Sequence, residues 1–242
     1  GNDNDWQPVN LDHNDTVADS PTNNFATLNP LVTSSYTTLS DGNLRTSSNT
    51  SADSGNTRST FAQSSGKWYA EFLVNSAPGY PQIGLMTSRD GSRPSNAAPQ
   101  AGYSSGMSDP TVSVIYIPSG SKQINGATSS YGSSYTNGDV IGIAWDADNG
   151  AIYFSKNGTW QNSGDPESGV TKTGAALTWT GGDYEHVISI ADYNFSSVTA
   201  NFGQSGFTYT PPTDYLALST ANLPDPAIDP AQGSSPSDYF NT

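Results

Sequence analysis

The sequence predicts an all-β fold, a β-sandwich of short antiparallel strands, and three observations lead to it. Only 12% of the 242 residues are Asp, Glu, Lys or Arg, while Gly, Ser, Thr and Asn abound. Short runs with period-two alternation recur along the chain. Turn signals built on Gly, Asn and Pro separate these runs, and no segment shows a convincing helical period. Strands at this spacing pack most simply as two facing sheets.

Taken in order, residues 1–24 (GNDNDWQPVNLDHNDTVADSPTNN) are polar and acidic without periodicity. They are expected to form an extended arm, with Trp6, Val9 and Leu11 available to pin it. Lys67 to Val74 (KWYAEFLV) sets Trp68, Ala70, Phe72 and Val74 against Tyr69, Glu71 and Leu73, as in a strand with one buried face. Gln82 to Thr87, Val112 to Ile117, Val140 to Ala147, Ala151 to Lys156, His186 to Ala191 and Ser197 to Phe202 read as further strands. The turns between them fall at Ala77-Pro78-Gly79, Arg89-Asp90-Gly91, Pro118-Ser119-Gly120, Asn125-Gly126, Asn137-Gly138, Asn157-Gly158 and Gly181-Gly182-Asp183. Residues 219–242 are Pro-rich and read as an extended linker, with Tyr239 and Phe240 resembling the start of another strand. Together with Gly1 in place of a methionine, this leads us to expect a segment of a longer protein that continues into a further domain.

The most regular stretch is GDVIGIAWDADNGAIYFSKNGTW, Gly138 to Trp160. Asn149-Gly150 is a strong hairpin signal because a type I′ turn needs positive φ at both central residues. Counting outward from that loop places Asp148 opposite Ala151, Ala147 opposite Ile152, Asp146 opposite Tyr153, Trp145 opposite Phe154 and Ile143 opposite Lys156. Ile143, Trp145, Ala147, Ile152 and Phe154 then share the core face, while Asp146 and Asp148 share the other, solvent-facing side. These aspartates do not fit an EF-hand loop, since the glycine comes one position early and Asn157 stands where the twelfth-position glutamate belongs. Read from the sequence they are turn and surface residues.

The formal net charge is −14, and no cluster of Lys or Arg offsets it, so nucleic acid and anionic membranes are poor partners. With no cysteine, thiolate metal sites and cysteine nucleophiles are excluded. His13 and His186 are the only histidines, and neither lies near a Gly-x-Ser-x-Gly elbow, which argues against a hydrolase triad. Glu71, Glu167 and Glu185 are scattered, so no strand offers the paired glutamates of a glycan hydrolase. No cofactor is expected. Asp3, Asp5, Asp12 and Asp15 could chelate calcium, although a solvated acidic arm is the simpler reading. No signal-peptide pattern or apolar run of transmembrane length is present.

Four motifs carry a family resemblance: GKWYAEF at Gly66 to Phe72, IGLM at Ile83 to Met86, the hairpin of Gly138 to Trp160, and VTANFGQSGFTYTPP at Val198 to Pro212. In that order they resemble the SPRY domain family, and LSDGNLRTS from Leu39 is similar to its opening strand. The resemblance implies a bent, two-sheet antiparallel sandwich of the concanavalin-A-like kind over residues 25–218. It further implies a non-catalytic module that binds protein or peptide partners through loops on one edge. Ser88 to Gly106 is longer and more polar than the family's compact loops, so partner residues do not transfer there. More loosely, DSPTNNFATLNPL at Asp19 to Leu31 and ALSTANLPDPAI at Ala217 to Ile228 resemble recurring pieces of bacteriophage tail-fibre and other virion proteins.

Trp68 and Trp145 belong to the core by their alternation, whereas Tyr80, Tyr103, Tyr131, Tyr135, Trp160 and Trp179 lie in or beside loops. Loop Tyr and Trp are common anchors for proteins and sugars, and the competing reading is that each caps a core edge. Arg89, Asp90 and Arg93 add rare charge to the long loop. The candidate binding set is Tyr80, Arg89, Asp90, Tyr103, Tyr131 and Trp160, with no catalytic or metal residue. The expected function is recognition of a host-surface receptor or glycan by a virion fibre module. The alternatives are a structural spacer or cement domain contacting other virion proteins or sister chains, and a bacterial surface adhesin.

Overall fold

The structure is a computed structural model, and residues 23–49, 55–88, 113–124 and 126–223 are described. The N-terminal arm as far as residue 22, with Trp6, Val9, Leu11, His13 and the aspartates considered for calcium, lies outside the described residues. So do Arg89, Asp90, Arg93, Tyr103 and the linker from residue 224, with Tyr239 and Phe240.

Fifteen strands are described: β1 (Thr37–Ser40), β2 (Arg45–Ser48), β3 (Gly55–Arg58), β4 (Lys67–Ser76), β5 (Gln82–Thr87), β6 (Val114–Tyr116), β7 (Ser121–Ile124), β8 (Ala127–Ser130), β9 (Val140–Asp146), β10 (Ala151–Lys156), β11 (Thr159–Trp160), β12 (Leu177–Thr178), β13 (His186–Asp192), β14 (Ser197–Asn201) and β15 (Leu216–Ala217). The larger sheet runs β1-β2-β14-β4-β9-β10-β11, with β12 beside β10 and β15 beside β4; the smaller runs β3-β13-β5-β6-β7-β8. All pairs are antiparallel except β15 with β4. The expected two-sheet, antiparallel all-β architecture is therefore present. Leu39's segment forms a β1–β2 hairpin rather than a single strand, its turn held by positive φ at Asp41, Gly42 and Asn43.

Period-two alternation decides what faces inward. Phe72, Ile143, Trp145 and Phe154 of the larger sheet meet Ile83, Leu85, Tyr116, Ile188 and Ile190 of the smaller in one core. Trp68 and Trp145 pair across β4 and β9, both sealed from solvent as the alternation predicts.

The β9–β10 hairpin corrects the expected register. Asp146 lies opposite Ala151, Trp145 opposite Ile152 and Ile143 opposite Phe154, so the loop is Ala147 to Gly150 rather than Asn149-Gly150. The cause is local. Asp146 accepts hydrogen bonds from the Asn149 backbone N–H (2.9 Å) and side-chain Nδ2 (2.7 Å), and Gly150 N–H returns to the Asp146 carbonyl (2.9 Å). Meanwhile Ala147 N–H is drawn away to the Gly66 carbonyl (2.9 Å). A two-residue slip preserves side-chain facing, so the predicted core residues keep their places. Asp146 is a second correction: it is 1% exposed and satisfied, not a solvent-face residue. Asp148 is exposed and accepts from Gly66 N–H (2.7 Å).

On the outer face of the larger sheet, Tyr69, Ala144, Ala151, Tyr153 and Tyr215 form a second cluster, closed by Trp160, Ala175 and Phe207. The glutamates fasten loops. Glu71, buried, accepts from Thr208 N–H (2.7 Å), Tyr209 N–H (2.8 Å) and the Tyr69 hydroxyl (3.0 Å). Glu167 accepts from Thr213 N–H (2.6 Å), and Glu185 accepts from the Ser88 hydroxyl (2.8 Å).

Candidate recognition edge

Strand directions give the sandwich two ends. At one, β4 hands the chain to β5 through residues 77–81, and β13 hands it to β14 through residues 193–196. The first of these loops is pinned at several points. Ala77 N–H donates to Asn137 Oδ1 (2.5 Å), Asn194 Nδ2 donates to the Pro78 carbonyl (3.3 Å), and the buried Tyr135 hydroxyl donates to the Pro81 carbonyl (2.7 Å). A Cβ on Gly79 would sit 2.3 Å from the Tyr193 carbonyl oxygen and 2.5 Å from Asn194 Cβ, so the two loops are in direct contact there. Between these anchors Tyr80 is 50% exposed. A ring held on a pinned loop loses little further freedom on binding.

The second loop carries Phe195, 55% exposed. Asn194 (φ 52°) and Phe195 (φ 60°) both occupy the left-handed region, and Ser196 N–H closes the turn on the Tyr193 carbonyl (3.3 Å). This is the backbone of a type I′ turn, with Phe where Gly is the usual occupant. Left-handed geometry costs a bulky L-residue about 1–2 kcal/mol, so the fold spends stability to hold this ring outward. Beneath it, Ser196 Oγ accepts from Tyr193 N–H (3.1 Å) and donates to Oδ1 of Asp192 (3.3 Å). Asp192 is fully buried, and its Oδ2 has no hydrogen-bond partner among the described residues. Burial, opposed in part by the Thr46 and Ser196 hydroxyls, pushes its carboxyl up to about 7.

The opposite end is closed. Trp179 N–H donates to the Gly150 carbonyl (2.9 Å) and Gly182 N–H to the Ala147 carbonyl (3.2 Å), tying residues 179–182 to the β9–β10 loop. Inside it, His186 packs against Trp179 (centroids 4.5 Å), Trp145 (6.0 Å) and Tyr184 (6.2 Å), and is itself sealed from solvent. Among the described residues no group of His, Asp and Glu could hold a metal ion.

Of the sequence-predicted set, the described members Tyr80, Tyr131 and Trp160 do not share one site. Tyr80 stands at the open end. Ser88 and Ser113, which flank the undescribed stretch containing Arg89, Asp90 and Tyr103, lie beside Glu185 and Thr87 at the closed end. Tyr131 is 6% exposed, packed edge-on to Tyr116 and Phe154, so its ring belongs to the core. Tyr135 and Trp179, read as loop aromatics, are buried too. Trp160 is half-buried on the outer face of the larger sheet, edge-on to Tyr69 (6.4 Å). Phe195 was missed by sequence reasoning. The available signal was an aromatic residue directly after Asn in the five-residue link between two predicted strands.

Residues 67–175 match the family model of the SPRY domain. Two solved structures are similar in fold. The crystal structure of the SPRY domain of human HERC1 superposes with a TM-score of 0.52 at 16% identity, covering 72% of this chain and 96% of that one. The stonustoxin structure gives a TM-score of 0.53 at 17% identity, covering 73% of this chain and 27% of that one. None of the curated proteins matches the sequence.

Proposed function

We propose that the SPRY domain carried by this chain is a non-catalytic protein-recognition module whose contact edge is the end bearing Tyr80 and Phe195. SPRY domains are typically protein-binding modules, which supports the class of activity; the position of the edge rests on one observation. Two exposed aromatic rings stand on touching loops, one loop pinned by its neighbours and the other held in a conformation unfavourable to Phe. Rigid aromatic anchors are the usual centres of binding energy. Within the described loops of this end, the ion pair of Lys156 with Asp139 (3.1 Å) leaves those two charges matched, so the edge suits an uncharged, apolar segment of a partner.

The setting we propose is a bacteriophage virion, with the domain as one module of a fibre protein whose edge meets a protein or glycan on the host surface. What supports it is the likeness of the flanking segments at Asp19 to Leu31 and Ala217 to Ile228 to phage structural proteins. We propose residues 25–218 as the sandwich and the segments on either side as connections to neighbouring virion parts.

A displayed library of random peptides, selected on the immobilised protein, tests the edge. Selected peptides are expected to bind the Tyr80→Ala and Phe195→Ala proteins at least about tenfold more weakly, the loss of one good anchor. Peptides that bind both variants as tightly as the parent would place the contact elsewhere, and binding confined to a glycan array would replace a protein partner with a sugar.

A further inference from the structure

The two edges of the smaller sheet are finished differently. Along β3, residues 28–34 cover the edge: Asn29 N–H donates to the Arg58 carbonyl (2.7 Å), Ser34 N–H donates to the Asn56 carbonyl (2.9 Å), and Leu28 bridges Ser59. At the other edge stands β8, and all four of its residues, Ala127 to Ser130, are exposed.

Parity shows which backbone groups of β8 face outward. Ile117 N–H donates to the Ser121 carbonyl (3.0 Å), so Ser121 turns its backbone towards β6, and Lys122 and Ile124 turn theirs towards β8. Their partners there are Ser129 and Ala127. Tyr131 N–H, donating to the Gly120 carbonyl (3.2 Å), continues the same ladder. Thr128 and Ser130 therefore direct their N–H and C=O groups away from β7, where no backbone group among the described residues meets them. Sheet edges are commonly guarded by charge, proline or a bulge, and Ala-Thr-Ser-Ser pairs with β7 in unbroken register with none of these.

Charge and register together select what can pair there. The chain carries a net charge of −14, yet no Asp or Glu occurs between Ser113 and Gly138. The single cation of that stretch, Lys122, is held in place, its Nζ donating to the Ala176 carbonyl (2.6 Å) and standing 5.4 Å from the centre of the Tyr131 ring. Two copies of this acidic chain can thus bring β8 against β8 without opposing carboxylates. The register is self-matching as well. With a two-fold axis at Ser129, Thr128 of each copy lies opposite Ser130 of the other, and the two pairs use every outward N–H and C=O of both strands. The side chains are small, so nothing obstructs the ordinary strand spacing of about 4.8 Å.

We propose that β8 pairs antiparallel with β8 of a second copy of this chain across a two-fold axis at Ser129, joining two six-stranded sheets edge to edge. So small a contact is weak between free chains and gains strength where sister chains are already held side by side. The pairing is independent of the reading of the Tyr80–Phe195 end.

The whole chain tests this directly. In sedimentation equilibrium over about 0.01–1 mM, the range in which a small contact becomes populated, the average mass should rise above the 25.4 kDa of one chain. Because the chain has no cysteine, Ser129→Cys introduces a single thiol. Across the axis its Cα would face its counterpart at about 4.5 Å, within reach of a disulfide. Under mild oxidation it should cross-link at least about tenfold faster than the equally exposed Ser205→Cys. Thr128→Pro removes an outward donor and no bond to β7, and Ser129→Lys leaves the backbone intact but sets two cations face to face. Both should return the chain to a single-copy mass. Equal cross-linking of the Ser129→Cys and Ser205→Cys proteins, or a mass unchanged in both other variants, would overturn the proposal. A chain that stays single throughout, while an extended peptide binds the parent and not Thr128→Pro, would give the edge to a foreign strand and overturn it too.

Discussion

Asp146 and Asp192 are both buried aspartates at the last position of a strand, and they stand at opposite ends of the sandwich. Asp146 spends both oxygens on Asn149, and the loop it caps is bolted to residues 179–182. Asp192 meets only the hydroxyls of Ser196 and Thr46 among the described residues, and its turn carries an exposed Phe in a left-handed conformation. The same residue type is thus met differently at the two ends: Asn149 gives Asp146 a backbone and a side-chain N–H, whereas Asp192 is met by side-chain hydroxyls and keeps an oxygen with no hydrogen-bond partner among the described residues.

The largest expected effect concerns the pH dependence of stability. Folding raises the Asp192 carboxyl from its ordinary 3.8 to about 7. Stability from this group is thus fully present below about pH 4 and is lost as pH rises through about 7, because the unfolded chain gives up the proton first. Urea unfolding of the parent and Asp192→Asn proteins should show their stability difference changing by on the order of 4 kcal/mol between pH 4 and 8. A constant difference would show Asp192 to be as well satisfied as Asp146.

The closed end should instead break through its backbone. Gly150 has φ 74°, and a Cβ there would lie 2.2 Å from the Trp179 carbonyl oxygen. Gly150→Ala is expected to lower stability by about 3 kcal/mol at any pH. If the loss were under about 0.5 kcal/mol, the two ends would be equally yielding.

The smallest effects sharpen the comparison at the open end. Phe195→Gly should raise thermal stability by about 1 kcal/mol, since glycine occupies the left-handed region without strain. Tyr80→Ala should change stability by less than about 0.5 kcal/mol. Both should weaken any peptide selected on the parent, so stability and binding would move independently. A Phe195→Gly protein less stable than its parent would mean that the ring packs usefully and is not merely displayed.

Much of the fold was legible because burial in a sheet follows side-chain alternation. Gln82–Thr87 and Ala151–Lys156 fall on their predicted bounds, and the core of Trp68, Phe72, Ile143, Trp145 and Phe154 follows from parity alone. The β9–β10 register did not, since a side-chain capture of Asn149 by Asp146 outweighed the turn preference of Asn-Gly. Short strands such as β3, β7, β8 and β11 left too few residues to register a period.

Sequence by itself determined the all-β class, the sheet faces and the lack of cysteine chemistry, because composition and alternation are properties of the chain. Tertiary structure alone decided which aromatics are offered to a partner. Tyr131, Tyr135 and Trp179 read like Tyr80 in the sequence, yet they are buried, while Tyr80 stays half exposed on a loop that is itself anchored to the core where the Tyr135 hydroxyl donates to the Pro81 carbonyl. Exposure depends on what packs above a side chain, and Phe195 is exposed on a turn whose left-handed backbone its own side chain disfavours.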